Sequence, residues 1–405
     1  MSSSDIDNIF DNAASGKILF TDRHKLTIDY VPEKLPFRDG ESRTLAQVLS
    51  TAFKGARPSN LLLFGIPGTG KTAVVKNVVE RWIKKARELG VEVVVPVVNA
   101  KLANSPYKVL FEIAEEIGIN REQKGKVHFT GLSMGEATDR ILLFIQKKKL
   151  HVIMVIDEID SLIQKSGDDI LYSFTRANQR MTNGGFISLI GISNSIDFKD
   201  RLDPRVRSSL SEEEVVFNPY TVQQLRHILE ERAKVAFREG AASIAAINLC
   251  AAIAGREHGD ARKAINLLRV SAELAEREGA SKVDENHVRA AQEKIEKDTP
   301  YEILKNAPTH TKLVTLAVAR SKGGNTGQVY TLYSAFCKKT GQEPLTQRRI
   351  TQIISELDLL GLVTSEVVSQ GRYGRSQKIT IAMPPSTIMD ALELDSIVSG
   401  VIAED

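Results

Sequence analysis

Two cysteines occur in 405 residues, Cys250 and Cys337, far apart and with neither CxxC nor His spacing. That shortage excludes a disulfide framework and a thiolate zinc site, and leaves both thiols as small core residues. Long apolar runs are missing too: nothing approaches the roughly 18 residues that a membrane helix needs. The N-terminal stretch MSSSDIDNIFDNAASGK lacks the basic-then-apolar layout of a secretory signal, so a cytoplasmic protein without a membrane partner is expected. Aromatic residues make up only 6%, with a single Trp, and neither charge sign dominates, the formal net charge being +3. So small an excess does not identify a nucleic-acid binder; the distribution of charge has to. What is present is 42% hydrophobic and 26% charged residues, an ordinary balance for a helix-rich chain of two or three domains. From Lys305 to Lys378 there are eleven Lys and Arg against four Asp and Glu, whereas from Ile379 on there are five acids and no base.

The pattern from Asn60 alternates strand and helix. An apolar run, Leu61 to Phe64, meets a Gly-rich turn, and Val74, Val75, Val78, Val79 and Trp82 follow at helical spacing. A strand over Val91–Val98, helices over Tyr107–Ile117 and Glu136–Lys148, and strands over Val152–Ile156 and Phe186–Ile192 complete the expectation of a parallel sheet covered on both faces. After Pro219 the strands stop. Helices are expected over Thr221–Glu239 (Gln224 giving Thr221 the spacing of a capping box), Ser243–Gly255, Asp260–Glu278 and Asp284–Lys297. Asp298-Thr299-Pro300 reads as a linker into a last region of three helices and two strands. The expected division is therefore a flexible segment 1–20, a strand–helix base 21–218, a helical module 219–298 and a last domain 299–405.

Gly65-Ile66-Pro67-Gly68-Thr69-Gly70-Lys71-Thr72 fits the phosphate-loop pattern G-x-x-x-x-G-K-[ST]. Phosphates need backbone N–H groups at close range, and glycine permits both the turn and the approach. The helix that follows brings its positive N-terminal end to the same spot. Lys71 is expected on the β- and γ-phosphates of ATP or ADP and Thr72 on Mg²⁺. The apolar strand Val152–Ile156 runs into Asp157-Glu158: Asp157 would hold Mg²⁺ through water, and Glu158 would orient and deprotonate the attacking water. Asn194 closes the next strand, where it would sense the γ-phosphate or simply form a turn. Tyr220 stands at the joint before the helical module, where a purine or ribose could lie against it. Arg262, in Gly259-Asp260-Ala261-Arg262, opens a lid helix and could reach back to the phosphates; a solvated surface charge is the plain alternative for it and for Arg232.

In the last region, residues 345–358 form an amphipathic helix with Ile350, Ile353, Ile354 and Leu357 on one face. Arg348, Gln352 and Ser355 centre the opposite face, with Thr351 and Arg349 beside them, a set of long donors and short hydroxyls suited to a major groove. Strands Leu362–Val368 and Gln377–Ala382 flank a tip carrying Arg372, Tyr373 and Arg375, so the region reads as a winged helix gripping double-stranded DNA rather than serving a protein contact alone.

Together the Gly65–Thr72 loop, Asp157-Glu158, Asn194, the Asn218-Pro219-Tyr220 joint and Gly259-Asp260-Ala261-Arg262 resemble an AAA+ ATPase of the initiator clade. More narrowly, the chain resembles the archaeal replication initiators related to the origin recognition complex, from about Asp29 to about Ala382. The resemblance implies an α/β AAA+ P-loop base with a parallel sheet, a helical lid and a C-terminal winged helix. It implies a weak ATPase acting as a switch at origin DNA, associated with the nucleoid, with a replicative helicase as partner and paralogous initiators or a second copy as others. It places Tyr30, Val31 and Arg38 near the adenine, Tyr220 and Arg232 on the nucleotide, and an arginine finger among the arginines of residues 201–207, with Arg205 and Arg207 as candidates. It also implies an additional DNA-meeting element near Lys124 and Lys126, for which an ordinary surface loop is the alternative. A clamp-loader-like ATPase and an ATP-gated transcription regulator are the rival readings.

Overall fold

A computed structural model describes residues 19–103, 105–119, 131–179, 181, 185–195, 197–210, 212–369, 375–383 and 385–402. It forms two compact units, the first ending at Val288 and the second beginning at Arg289.

In the first unit the strands are β1 (Leu61–Phe64), β2 (Val93–Val94), β3 (Val97–Asn99), β4 (His151–Asp157), β5 (Phe186–Ser193) and β6 (Glu213–Val216). They form one sheet in the order β2-β4-β5-β1-β6, with β3 also pairing β4, and every pairing is parallel. Parallel strands need helical crossovers, which cover both faces and make the strands continuously apolar. Alternate residues accordingly enter two cores. Leu62, Phe64, Val152, Met154 and Ile156 pack with α3 (Pro106–Glu116), α4 (Met134–Lys148) and α6 (Asp169–Arg176). Leu61, Leu63, Ile153 and Val155 pack with α1 (Asp39–Ser50) and α2 (Lys71–Glu88), where Val74, Val75, Val78, Val79 and Trp82 are buried as their spacing predicts.

Two departures from expectation have local causes. The strand expected over Val91–Val98 is split at Pro96, which has no N–H to give to the ladder, although its carbonyl still accepts from Val155 N at 2.8 Å. Strand β6 carries two glutamates and buries only Val215, so no apolar run announces it.

Between β4 and β5 lie α5 (Ile159–Ser166) and α6; α7 (Pro204–Leu210) follows β5. Beyond the sheet run α8 (Val222–Ala236), α9 (Ile244–Arg256), α10 (Ala261–Arg277) and α11 (Glu285–Lys305). Thr221 caps α8 in the capping box with Gln224 that the sequence predicts. Helix α8 stops three residues before the expected end, because Phe237 turns extended to bridge Phe20, their rings stacked 5.0 Å apart. Asp298-Thr299-Pro300, expected to be a linker, lies inside α11. The proline that made the segment read as a break is accommodated within the helix.

The second unit continues with α12 (Thr309–Ser321), α13 (Thr326–Lys339), α14 (Gln347–Leu359) and the antiparallel pair β7 (Val363–Ser369) and β8 (Arg375–Ile381). Two short helices that the periodicity did not suggest, α15 (Pro385–Leu392) and α16 (Ser396–Ile402), close the same core. Ile388, Leu392, Val398 and Val401 join Ile350, Ile353, Ile354, Leu357 and Tyr333 there, and Lys312 Nζ donates to Asp395 Oδ2 at 2.8 Å. Both cysteines are buried, and burial pushes the Cys250 thiol up to about 12.

Candidate functional site

Strands β1, β3, β4 and β5 all point their carboxyl ends to the same edge of the sheet, the edge where parallel α/β sheets place ligands. A polar cavity of about 110 Å³ opens there, lined by Gly68, Gly70, Lys71, Thr72, Asn99, Asp157, Glu158, Asn194 and Arg262. The fold thus gathers residues spread over nearly two hundred positions.

The loop after β1 is built for close approach. Gly68 and Gly70 adopt φ of 78° and 93°, in the left-handed region. A Cβ on Gly68 would lie 1.8 Å from Asp260 Oδ1, and one on Gly70 would lie 2.8 Å from the Tyr220 hydroxyl. Lys71 is 5% exposed and donates to Gly65 O at 2.6 Å and Ile66 O at 2.9 Å. Thr72 Oγ1 donates to Asp157 Oδ2 at 2.9 Å, which sets two hard oxygens side by side at the cavity. This donor set suits a polyphosphate with a divalent cation: glycine backbone and two cations for the anion, hydroxyl and carboxylate for the metal.

Asp157 Oδ1 accepts from Glu158 N at 2.9 Å. Glu158 itself sits at φ 53°, left-handed, as the residue that turns β4 into α5. That turn holds its partly buried carboxylate at the cavity, 3.9 Å from Lys101 Nζ. Asn194 donates its backbone N–H to Asp160 Oδ1 at 3.3 Å. Arg262 enters from the start of α10, whose cap Asp260 accepts from the N–H groups of Arg262 and Lys263. Ala261 N donates to Gly68 O at 3.2 Å, so the lid helix begins on the phosphate loop.

Burial lowers the Lys71 pKa to about 8, and the nearby Arg262 charge adds to the effect, against the pull of Asp157, Asp160 and Asp260. An anion between the two cations should restore the Lys71 charge. Above pH 8 magnesium-free ATP should therefore bind with proton uptake. Its affinity should fall above about pH 8 by up to about tenfold per pH unit. A fluorescence titration series that stays flat to pH 9.5 would remove Lys71 from the anion site.

Asn99 was missed by the sequence reading. It ends β3 in register with Asp157, and its Oδ1 caps the following helical turn by accepting from Lys101 N and Leu102 N. The signal was the one that selected Asn194, an Asn at a strand's carboxyl end, but the expected strand stopped one residue short of it.

The other expected nucleotide residues do not line the cavity. Thr69 is fully buried, its hydroxyl donating to Ile66 O, and Pro67 is exposed. Arg232 donates to Lys25 O and Tyr30 O at 2.8 and 2.9 Å and lies over the Tyr30 ring, beside half-buried Val31. Arg38 and Tyr220 are hydrogen-bonded to each other at 3.0 Å. Both finger candidates are exposed: Arg205 is held by both carboxylate oxygens of Asp203, whose pKa it lowers to about 2, and Arg207 meets Asp200 at 3.2 Å.

On α14 the two faces fall as the period predicts. Ile350, Ile353, Ile354 and Leu357 are buried, while Arg348, Arg349, Thr351, Gln352 and Ser355 are exposed. Arg349 donates to Gln352 Oε1 at 3.2 Å and meets Glu356 at 3.4 Å. Thr351 and Ser355 donate back to carbonyls one turn earlier. Arg375 is the first residue of β8. Arg372, Tyr373, Lys124 and Lys126 lie outside the described residues.

A parallel-sheet phosphate-loop base, a helical lid carrying an arginine to the same cavity, and a separate winged helix define an AAA+ ATPase of the Cdc6 type. Three families match in turn: the ATPase family associated with various cellular activities over residues 61–219, the Cdc6 AAA+ ATPase-type lid domain over 226–293, and the CDC6 C-terminal winged helix domain over 302–391. An ORC1-type DNA replication protein of Cenarchaeum symbiosum is 44% identical over 98% of this chain and 97% of its own length. One of Thermococcus onnurineus is 46% identical over 96% and 94%. Among solved structures, the Aeropyrum pernix ORC1 protein in complex with DNA is similar at a TM-score of 0.87 and 44% identity, covering 95% of this chain and 99% of that one. The chain belongs to the ORC1-type DNA replication protein family.

Proposed function

We propose that this chain recognises replication-origin DNA and uses ATP binding and slow hydrolysis as a switch for recruiting a replicative helicase. One observation carries the ATP half: a single cavity unites Lys71, Thr72, Asp157, Glu158 and Asn194 of the base with Arg262 of the lid. In this reading Lys71, Arg262 and the backbone of residues 67–70 hold the phosphates of ATP or ADP. Thr72 and Asp157 hold Mg²⁺, which supplies charge neutralisation when bound. Glu158 takes the proton of the attacking water, and Asn194 orients that water or the γ-phosphate. Tyr30, Val31 and Arg232 flank the base end. Of the finger candidates, Arg207 is the freer to act on a paralogue or second copy, because Arg205 is chelated by Asp203.

The DNA half is supported by the exposed polar face of α14 and by the relative whose structure contains DNA. If α14 enters a major groove, Arg348→Ala should remove a base contact worth about 1–3 kcal/mol, felt only on the cognate sequence. Arg375→Ala, in the wing, should weaken cognate and random duplexes alike and reduce the salt slope by about one unit. A salt titration of both variants on both duplexes distinguishes them. Equal losses for Arg348→Ala on the two duplexes would assign α14 to backbone grip and leave the base readout without a residue.

A further inference from the structure

We propose that Arg38 is a positioning residue that ties the phosphate loop to the joint between base and lid, coupling nucleotide in the cavity to the position of the lid. This rests on the nucleotide reading of the cavity but adds a part that reading does not contain. Arg38 is 5% exposed, and its guanidinium is used up on the protein. Its Nε–H is shared between Thr69 O of the loop at 2.9 Å and the Tyr220 hydroxyl at 3.0 Å. One terminal nitrogen donates to Glu41 Oε1 at 2.7 Å and the other to Asn218 O at 2.6 Å. The guanidinium carbon lies 4.1 Å from the centre of the Tyr220 ring. A buried planar cation with its donors fixed at both ends is a strut, because Arg presents them in a rigid fork.

What the strut joins follows from its neighbours. The Tyr220 hydroxyl stands where a Gly70 side chain would be, and the Tyr220 carbonyl stands 2.3 Å from where a Cβ of Gly259 would be. Gly259 opens the turn that delivers Arg262 to the cavity. The residue before Arg38 adds a further link. Phe37 adopts φ 63°, a left-handed conformation unfavourable for a bulky residue, and its ring meets His227 of α8 edge-on at 5.4 Å. Residues 37 and 38 therefore touch the loop, the joint and the lid at once. A hydrogen shared between two acceptors is directional, so moving either the loop carbonyl or the phenol away breaks one arm. Ordering the loop with phosphate thus favours the lid position seen here, and holding the lid there favours the ordered loop.

The test uses the full chain and amide hydrogen exchange of segments 217–221 and 259–263, with and without Mg·ATP, beside ATP affinity from a fluorescent analogue. In the parent, ATP should slow exchange in both segments about tenfold, within the usual range of coupling between linked sites. Arg38→Met should still bind ATP, weakened by less than about tenfold, while the ATP-induced protection falls below about threefold. Arg38→Lys, which keeps the charge but loses the fork, should recover the affinity and not the protection. Should Arg38→Met fail to fold, Tyr220→Phe removes only the shared acceptor and should lose the same protection. Full protection in Arg38→Met or Tyr220→Phe, or none in the parent, overturns the proposal. So does a loss of affinity in Arg38→Met as large as that of Lys71→Ala, which would make Arg38 a ligand contact. If Lys71→Ala itself binds ATP like the parent, the nucleotide reading of the cavity fails, whatever Arg38 does.

Discussion

Replacing Lys71 with alanine should weaken ATP binding about a hundredfold and leave the chain folded. Lys71 is the buried cation at the cavity, and its ammonium has no carboxylate within hydrogen-bond reach among the described residues, only the carbonyls of Gly65 and Ile66. Those carbonyls hold the ammonium in place without neutralising it, and Arg262 opposes its charge. A phosphate chain relieves both conditions, so the interaction is far stronger with ligand than without. Charge-assisted hydrogen bonds are worth about 1.5–3 kcal/mol each, and about 2.7 kcal/mol is a hundredfold in affinity. The cost to folding is smaller: two hydrogen bonds to loop carbonyls are lost, but a desolvated cation goes with them. The measurement is a nucleotide titration paired with thermal melting. Equal affinity in variant and parent would take Lys71 out of the site.

Glu158→Gln should do the opposite, keeping ATP and stopping turnover. The two side chains have the same shape, so the left-handed turn between β4 and α5 and the hydrogen bond from residue 158 N to Asp157 remain. The amide, however, cannot accept the proton of an attacking water. A positioned general base contributes about 10²–10⁴-fold to a rate, and single-turnover hydrolysis should fall by that range while ATP affinity changes by less than about threefold. The pair of variants separates binding from chemistry: Lys71→Ala loses both, Glu158→Gln only the second. Hydrolysis at the parent rate in Glu158→Gln would assign the proton to another group, with Asp160, the hydrogen-bond partner of Asn194, the next to examine.

The local parts of this site were legible without coordinates. Residues 65–72 announce a phosphate loop because glycine and a following helix are required within one short stretch, and the required residues are contiguous. The buried stripes of α2 and α14 follow from the 3.6-residue period alone, and each apolar residue named from it is buried. The capping box at Thr221 is a three-residue spacing, equally local. Asp157-Glu158 needed only a strand running into two acids.

What lay beyond the sequence was proximity between elements. That Asn99 belongs to the cavity depends on β3 pairing with β4 in a register that sets it beside Asp157. That Arg262 meets the cavity depends on Ala261 donating to Gly68 from a helix nearly two hundred residues away. Arg38 shows the difference most clearly. The resemblance places it near the adenine; its donors meet Thr69, Glu41, Asn218 and Tyr220, a set of partners that no spacing along the chain announces. Charge, helical period and turn chemistry are properties of neighbours along the chain, and the sequence alone determined them. Which acceptor a buried donor meets is a property of neighbours in space, and only the packing of sheet, joint and lid decided it.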